Sequence, residues 1–121
     1  MSTEKATRDS WQCIAMPEAR VRLEVARTFS QAEYECLQQG VIPQDMDDRW
    51  FVYFEDGWLF LHRSWTGHCI FQVRLESAEG GWKTVEAWAN NDPNQFRSAT
   101  PEQSKRLLLD LLGHLATDKS V

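Results

Sequence analysis

The chain has 121 residues, enough for one domain with one core and too few for two of ordinary size. An apolar share of 42% with 26% charged residues is ordinary for a globular protein, and a chain of this length needs no disulfide or metal staple to fold. A formal net charge of −5 argues against broad affinity for a phosphate backbone or a membrane surface, and no apolar run approaches the roughly 20 residues of a bilayer span.

Residues Met1 to Ser10 are polar and lack the apolar core of a signal peptide, which predicts a flexible tail over 1–10 and a cytoplasmic protein. The folded domain is expected over 11–117, with fraying over 118–121. Between Ala19 and Phe29 apolar and charged residues alternate. Val21, Leu23 and Val25 fall on one face and Arg20, Arg22 and Glu24 on the other, the pattern of a half-buried strand.

At Ser30 the period changes. Ser30 and Glu33 form a capping box, with Phe29 and Tyr34 placed as a hydrophobic staple, and Gly40 supplies a helix stop, so one helix is predicted over Gln31–Gln39. Val41 to Pro43 leaves it extended, and Gln44 to Asp48 reads as an acidic loop. Asp45, Asp47 and Asp48 beside Arg49 lack the glycine and distal glutamate of a calcium loop and are read as solvated.

Trp50 to Glu55 is aromatic and β-branched, Asp56-Gly57 is a tight-turn signal, and Trp58 to Arg63 resumes the pattern: a hairpin. Cys69 to Leu75 and Trp82 to Trp88 add two strands, joined by turns at Ser64 to Gly67 and Glu79 to Gly81. Asn90 to Asn94 is a loop. Thr100, Pro101 and Gln103 then open a second helix whose leucines at 107, 108, 111, 112 and 115 form one apolar stripe. The predicted fold is α+β: an antiparallel sheet of about five strands in the order strand, helix, four-strand meander, helix, with both helices packed on the sheet.

Cys13, Cys36 and Cys69 are odd in number and form no C-x-x-C pair, so free thiols are expected. His62, His68 and His114 do not complete a ligand set, and neither a metal nor another cofactor is expected. Six tryptophans, each with on the order of 200 Å² to bury or stack, favour a packed core or an aromatic binding surface.

The sharpest local cluster is His62, Arg63, Ser64, Trp65, Thr66 and Gly67, at a strand end and in the following turn. By alternation His62 lies with Trp58 and Phe60, while Arg63 lies with Leu59 and Leu61. Backbone N–H groups of such a turn can converge on an anion, and Arg63 can add a bidentate fork. Trp88 and Asn91 would wall the same pocket if the last strand's loop lies beside the turn. A structural account competes: Ser64 and Thr66 bonding within the turn, Trp65 capping the core, and Arg63 paired with Glu55 or Asp56. Ser64 lacks a nucleophile elbow, and Cys69 reads as a small core residue.

Pro43, Met46 to Phe51, Phe54-Glu55, Leu61 to Gly67, Asn91 to Pro93 and Gln95-Phe96 together resemble an uncharacterised family of small bacterial domains. The resemblance covers about two-thirds of the chain and implies a shared fold without an activity; Arg49 stands where that family usually has a lysine. The expected function is a non-enzymatic binding module for an anionic group on a small ligand or protein partner. The acidic balance also suits neutralisation of a basic partner, as antitoxins and immunity proteins do. The alternative is a small hydrolase or transferase on a nucleotide-like substrate, with His62 as acid/base, Arg63 as clamp and Trp65 or Trp88 as stacking platform.

Overall fold

The computed structural model describes residues 6–44, 48–96 and 100–116. The fold is α+β, with an antiparallel sheet of six strands and two helices. β1 (Arg20–Arg22) and β2 (Thr28–Phe29) both pair with β6 (Gly81–Asn90), which continues through β5 (Cys69–Ala78) and β4 (Trp58–Arg63) to the edge strand β3 (Trp50–Glu55).

The expected single strand over 19–29 is therefore two short strands, and the cause lies across the ladder. Arg22 pairs with Trp88 but Thr28 with Lys83, so β1–β2 carries one residue more than its partner. The β5–β6 register also shifts between Arg74 and Leu75, skipping Val85. Thr84 fills the irregularity: its hydroxyl donates to Val25 O at 2.7 Å and accepts from Arg27 N at 3.1 Å, replacing ladder bonds with side-chain ones.

The β3–β4 hairpin turns at Asp56 (φ 54) and Gly57 (φ 87). Positive φ at both central residues makes a two-residue turn whose twist matches the strands, and it fixes the register that sets Trp50 opposite Arg63.

Helix α1 (Gln31–Gln39) begins with the Ser30–Glu33 capping box, both bonds formed, and α2 (Pro101–Leu115) begins with Thr100 Oγ1 accepting from Gln103 N. Their apolar faces meet one face of the sheet in the main core, which holds Leu37, Leu108 and Leu112 against Leu59, Leu61, Phe71, Val73 and Ala87. Tyr34 of α1 stacks on Trp82 of β6 at 3.8 Å and meets Phe54 of β3 edge-on at 5.5 Å. Those strands stand three spacings apart, roughly 14 Å in a flat sheet, so the sheet curls around the helix.

The second face carries Phe51, Tyr53, Phe60 and His62, and residues 6–16 cross it as a strap. Within the stretch expected as a flexible tail, Ala6 is fully buried and its N–H donates to Gln39 O, while Thr7, Arg8 and Asp9 are exposed. Arg8 pairs with Glu55, and Ile14 N donates to Gly67 O at 2.7 Å. The expected loop residues Asp45 and Asp47 lie outside the described residues, as do 1–5 and 117–121. No helix among the described residues is long and apolar enough to cross a membrane.

Candidate functional site

The turn after β4 joins the two faces of the sheet. Gly67 holds φ 82, where a Cβ would stand 3.3 Å from the Gln12 carbonyl oxygen, so the strap passes close against a residue that must be small and left-handed. Three N–H groups in and beside the turn are already engaged. Ser64 N donates to Arg49 O, Gly67 N to Arg63 O and His68 N to Thr66 Oγ1. Its carbonyls face the strap: Trp11 Nε1 donates to Ser64 O at 2.8 Å and Gln12 Nε2 to Trp65 O at 3.2 Å. The backbone N–H groups of Ser64 and Gly67 are thus not free to meet an anion.

Side chains supply the positive site instead. Arg49, Arg63, Trp65, Thr66 and Gln95 line one cavity of about 300 Å³. The Arg63 guanidinium lies over the Trp50 ring, 4.6 Å from its centre. Burial, then the like charge of Arg49, holds the Arg63 guanidinium below arginine's ordinary range, and it stays a cation at neutral pH. Among the described residues no carboxylate stands within ion-pair distance of either guanidinium; their ion pairs are Arg8 with Glu55 and Arg74 with Glu76 and Glu86. Arg63 is remote from Glu55 and Asp56, which sit at the other end of the hairpin.

The neighbours of the arginines fix their position. Buried Ser64 donates its hydroxyl to Asp48 O at 2.7 Å, tying the segment that carries Arg49 to the turn. Asn90 Nδ2 donates to Cys69 O and to Gln95 Oε1, both at 2.9 Å, so the oxygen of Gln95, a residue lining the cavity, is engaged. Trp65 is 67% exposed at the rim rather than capping the core. Planar guanidiniums, an indole, a hydroxyl and an amide can hold and orient a carboxylate or phosphate.

The remaining expected residues lie elsewhere. His62 is on the opposite face, 2% exposed, with Nδ1 bonded to Gly67 O at 2.9 Å; burial, opposed by that bond, lowers its pKa from the usual 6.5. Trp88 sits inside β6 rather than at its end and faces the second side with Gln72, under the Arg20 guanidinium at 4.1 Å. Asn91 is exposed and donates its backbone N–H to Ala19 O. The structure brings together Arg63, Trp65 and Thr66 and adds Arg49 and Gln95. Arg49 was findable: the two-residue turn fixes the hairpin register, which puts position 49 beside Ser64. Gln95 had no comparable signal.

Cys13, Cys36 and Cys69 are free thiols, and no group of three or more His, Cys, Asp or Glu side chains among the described residues could hold a metal ion. Comparison with known proteins finds no matching family model, no matching curated protein and no matching solved structure.

Proposed function

We propose that this chain is a non-enzymatic binding module that holds an anionic group, a carboxylate or phosphate of a small ligand or partner protein, in the Arg49–Arg63 cleft. The observation that carries the reading is the adjacency of two guanidiniums in one cavity with no carboxylate of the described residues to neutralise them. In a chain of net charge −5, the exposed Arg49 still places a like charge beside the partly buried Arg63, and an anion between them reverses the sign of that interaction. Trp65 at the rim offers a flat surface to whatever carries the anionic group.

The hydrolase or transferase alternative needs an acid/base group at the same cleft. His62 sits behind the sheet, and the five lining residues include no His, Cys, Asp, Glu or Lys side chain to serve as acid or base. That favours binding over turnover.

The test is a thermal-shift series at low ionic strength with inorganic phosphate, citrate and a nucleoside monophosphate, repeated on Arg63→Ala. At least one anion should raise the melting temperature saturably by mass action, and the variant should lose the rise. Identical shifts in both proteins, or none in either, would sink the reading.

A further inference from the structure

We propose that the ligand of the arginine cleft is an acyl carboxylate, with its head at Arg49 and its alkyl chain in the neighbouring cavity between β3 and the C-terminal half of α2. This rests on the anion reading of the cleft and names the body to which the anionic group belongs. The cavity holds about 650 Å³, within the ordinary range of ligand pockets. Its apolar lining is aliphatic except for one ring: Val41, Val52, Leu111 and Leu115 with Trp50. Val52 and Leu115 are buried, whereas Val41, Trp50 and Leu111 pack against the main core and stay only half-buried. Half-buried apolar side chains around an open cavity keep apolar surface in water, and an alkyl chain seated there would remove it.

Arg49 couples the two places. It is exposed, and it lines both this cavity and the cleft. Trp50 joins them as well, since it lines the cavity while its ring lies beneath the Arg63 guanidinium at 4.6 Å. The remaining polar lining is Asp48 and His114. Asp48 has Oδ2 engaged by Gln44 N at 2.7 Å and stands beyond ion-pair distance of Arg49. The shared edge therefore sets a cation with no counter-ion among the described residues beside aliphatic surface. A carboxylate on an alkyl chain is the complement of both halves; a sugar or a nucleoside would set hydroxyl groups against the valines and leucines instead.

The test is an NMR titration of the full chain with butanoate, hexanoate and octanoate at fixed ionic strength. Octan-1-ol is the uncharged control, and inorganic phosphate probes the cleft alone. Affinity should rise with chain length, by up to about fourfold for each added methylene. The methyl signals of Val41 and Leu111 should move saturably together with the Arg49 Nε–H, while those of Leu107, on α2 but outside the cavity lining, stay in place. Octanol should bind about tenfold or more weaker than octanoate, for want of a charge at Arg49. Two variants of half-buried Leu111 should flatten the chain-length dependence: Leu111→Gln, which makes that wall polar, and Leu111→Trp, which takes up its space. An unchanged phosphate response in each shows that the cleft is intact. Phosphate binding with octanoate no tighter than butanoate would overturn the proposal and leave the anion reading standing. No response to phosphate or to any carboxylate would overturn both. Octanol binding as tightly as octanoate, or a chain-length dependence that survives both variants, would also overturn the proposal.

Discussion

The Arg63 guanidinium lies 4.6 Å from the centre of the Trp50 ring, its directly opposed partner in the β3–β4 hairpin. The indole supports one face of a cation that no described carboxylate neutralises. Arg63→Lys keeps the charge and loses the planar stacking. Its expected cost is about 0.5–1 kcal/mol in urea denaturation, with weaker anion binding. A variant as stable as the parent would show that the stacking contributes little.

Ser64 bonds to the segment that carries Arg49. Its hydroxyl bond to Asp48 O fastens the start of β3 to the turn, and Ser64→Ala leaves that carbonyl without its donor. Destabilisation of about 1–3 kcal/mol is expected, together with a smaller anion-induced melting shift, because the segment carrying Arg49 then keeps only the Ser64 N–H to Arg49 O bond to the turn. Loss of stability with an unchanged anion response would separate the turn from the cleft.

Gly67 joins strap to turn at φ 82. Gly67→Ala places a Cβ in a left-handed conformation against Gln12, with an expected cost of roughly 1–2 kcal/mol. Proteolysis should then cut the strap earlier than in the parent, which limited digestion followed by mass analysis would read.

His62 sets a pH dependence of defined sign. Its pKa is lowered in the folded chain from the usual 6.5, so the unfolded chain binds more protons as the pH drops through that value. Stability is complete above about 6.5 and falls below it. Chemical denaturation from pH 8 to 5 should show the decline, and His62→Phe should flatten it. An undiminished slope in that variant would assign the decline to other groups.

Much of the frame was legible because its determinants are local. The Ser30–Glu33 box, the Thr100-Pro101 helix start and the Asp56-Gly57 turn each act within a few residues, and each forms as its chemistry requires. Alternation likewise separated His62 from Arg63. What stayed hidden depends on distant partners. The break between β1 and β2 is set by Thr84 and the skipped Val85, more than fifty residues along the chain. The strap has no periodic pattern, since its order comes from contacts with the turn at 64–67 and with Gln39. Trp88 reads as a strand end only because the asparagines after it resemble loop residues, yet Asn90 still pairs with Arg20 in the ladder.

The most direct measurement is an NMR titration of the arginine Nε–H resonances with pyrophosphate at low ionic strength. The account predicts that the Arg49 and Arg63 signals move together and saturably, while those of Arg8 and Arg74, already ion-paired, stay in place. If the signals of Arg49 and Arg63 did not move, or drifted no further than those of the paired arginines, the cleft would not be an anion site.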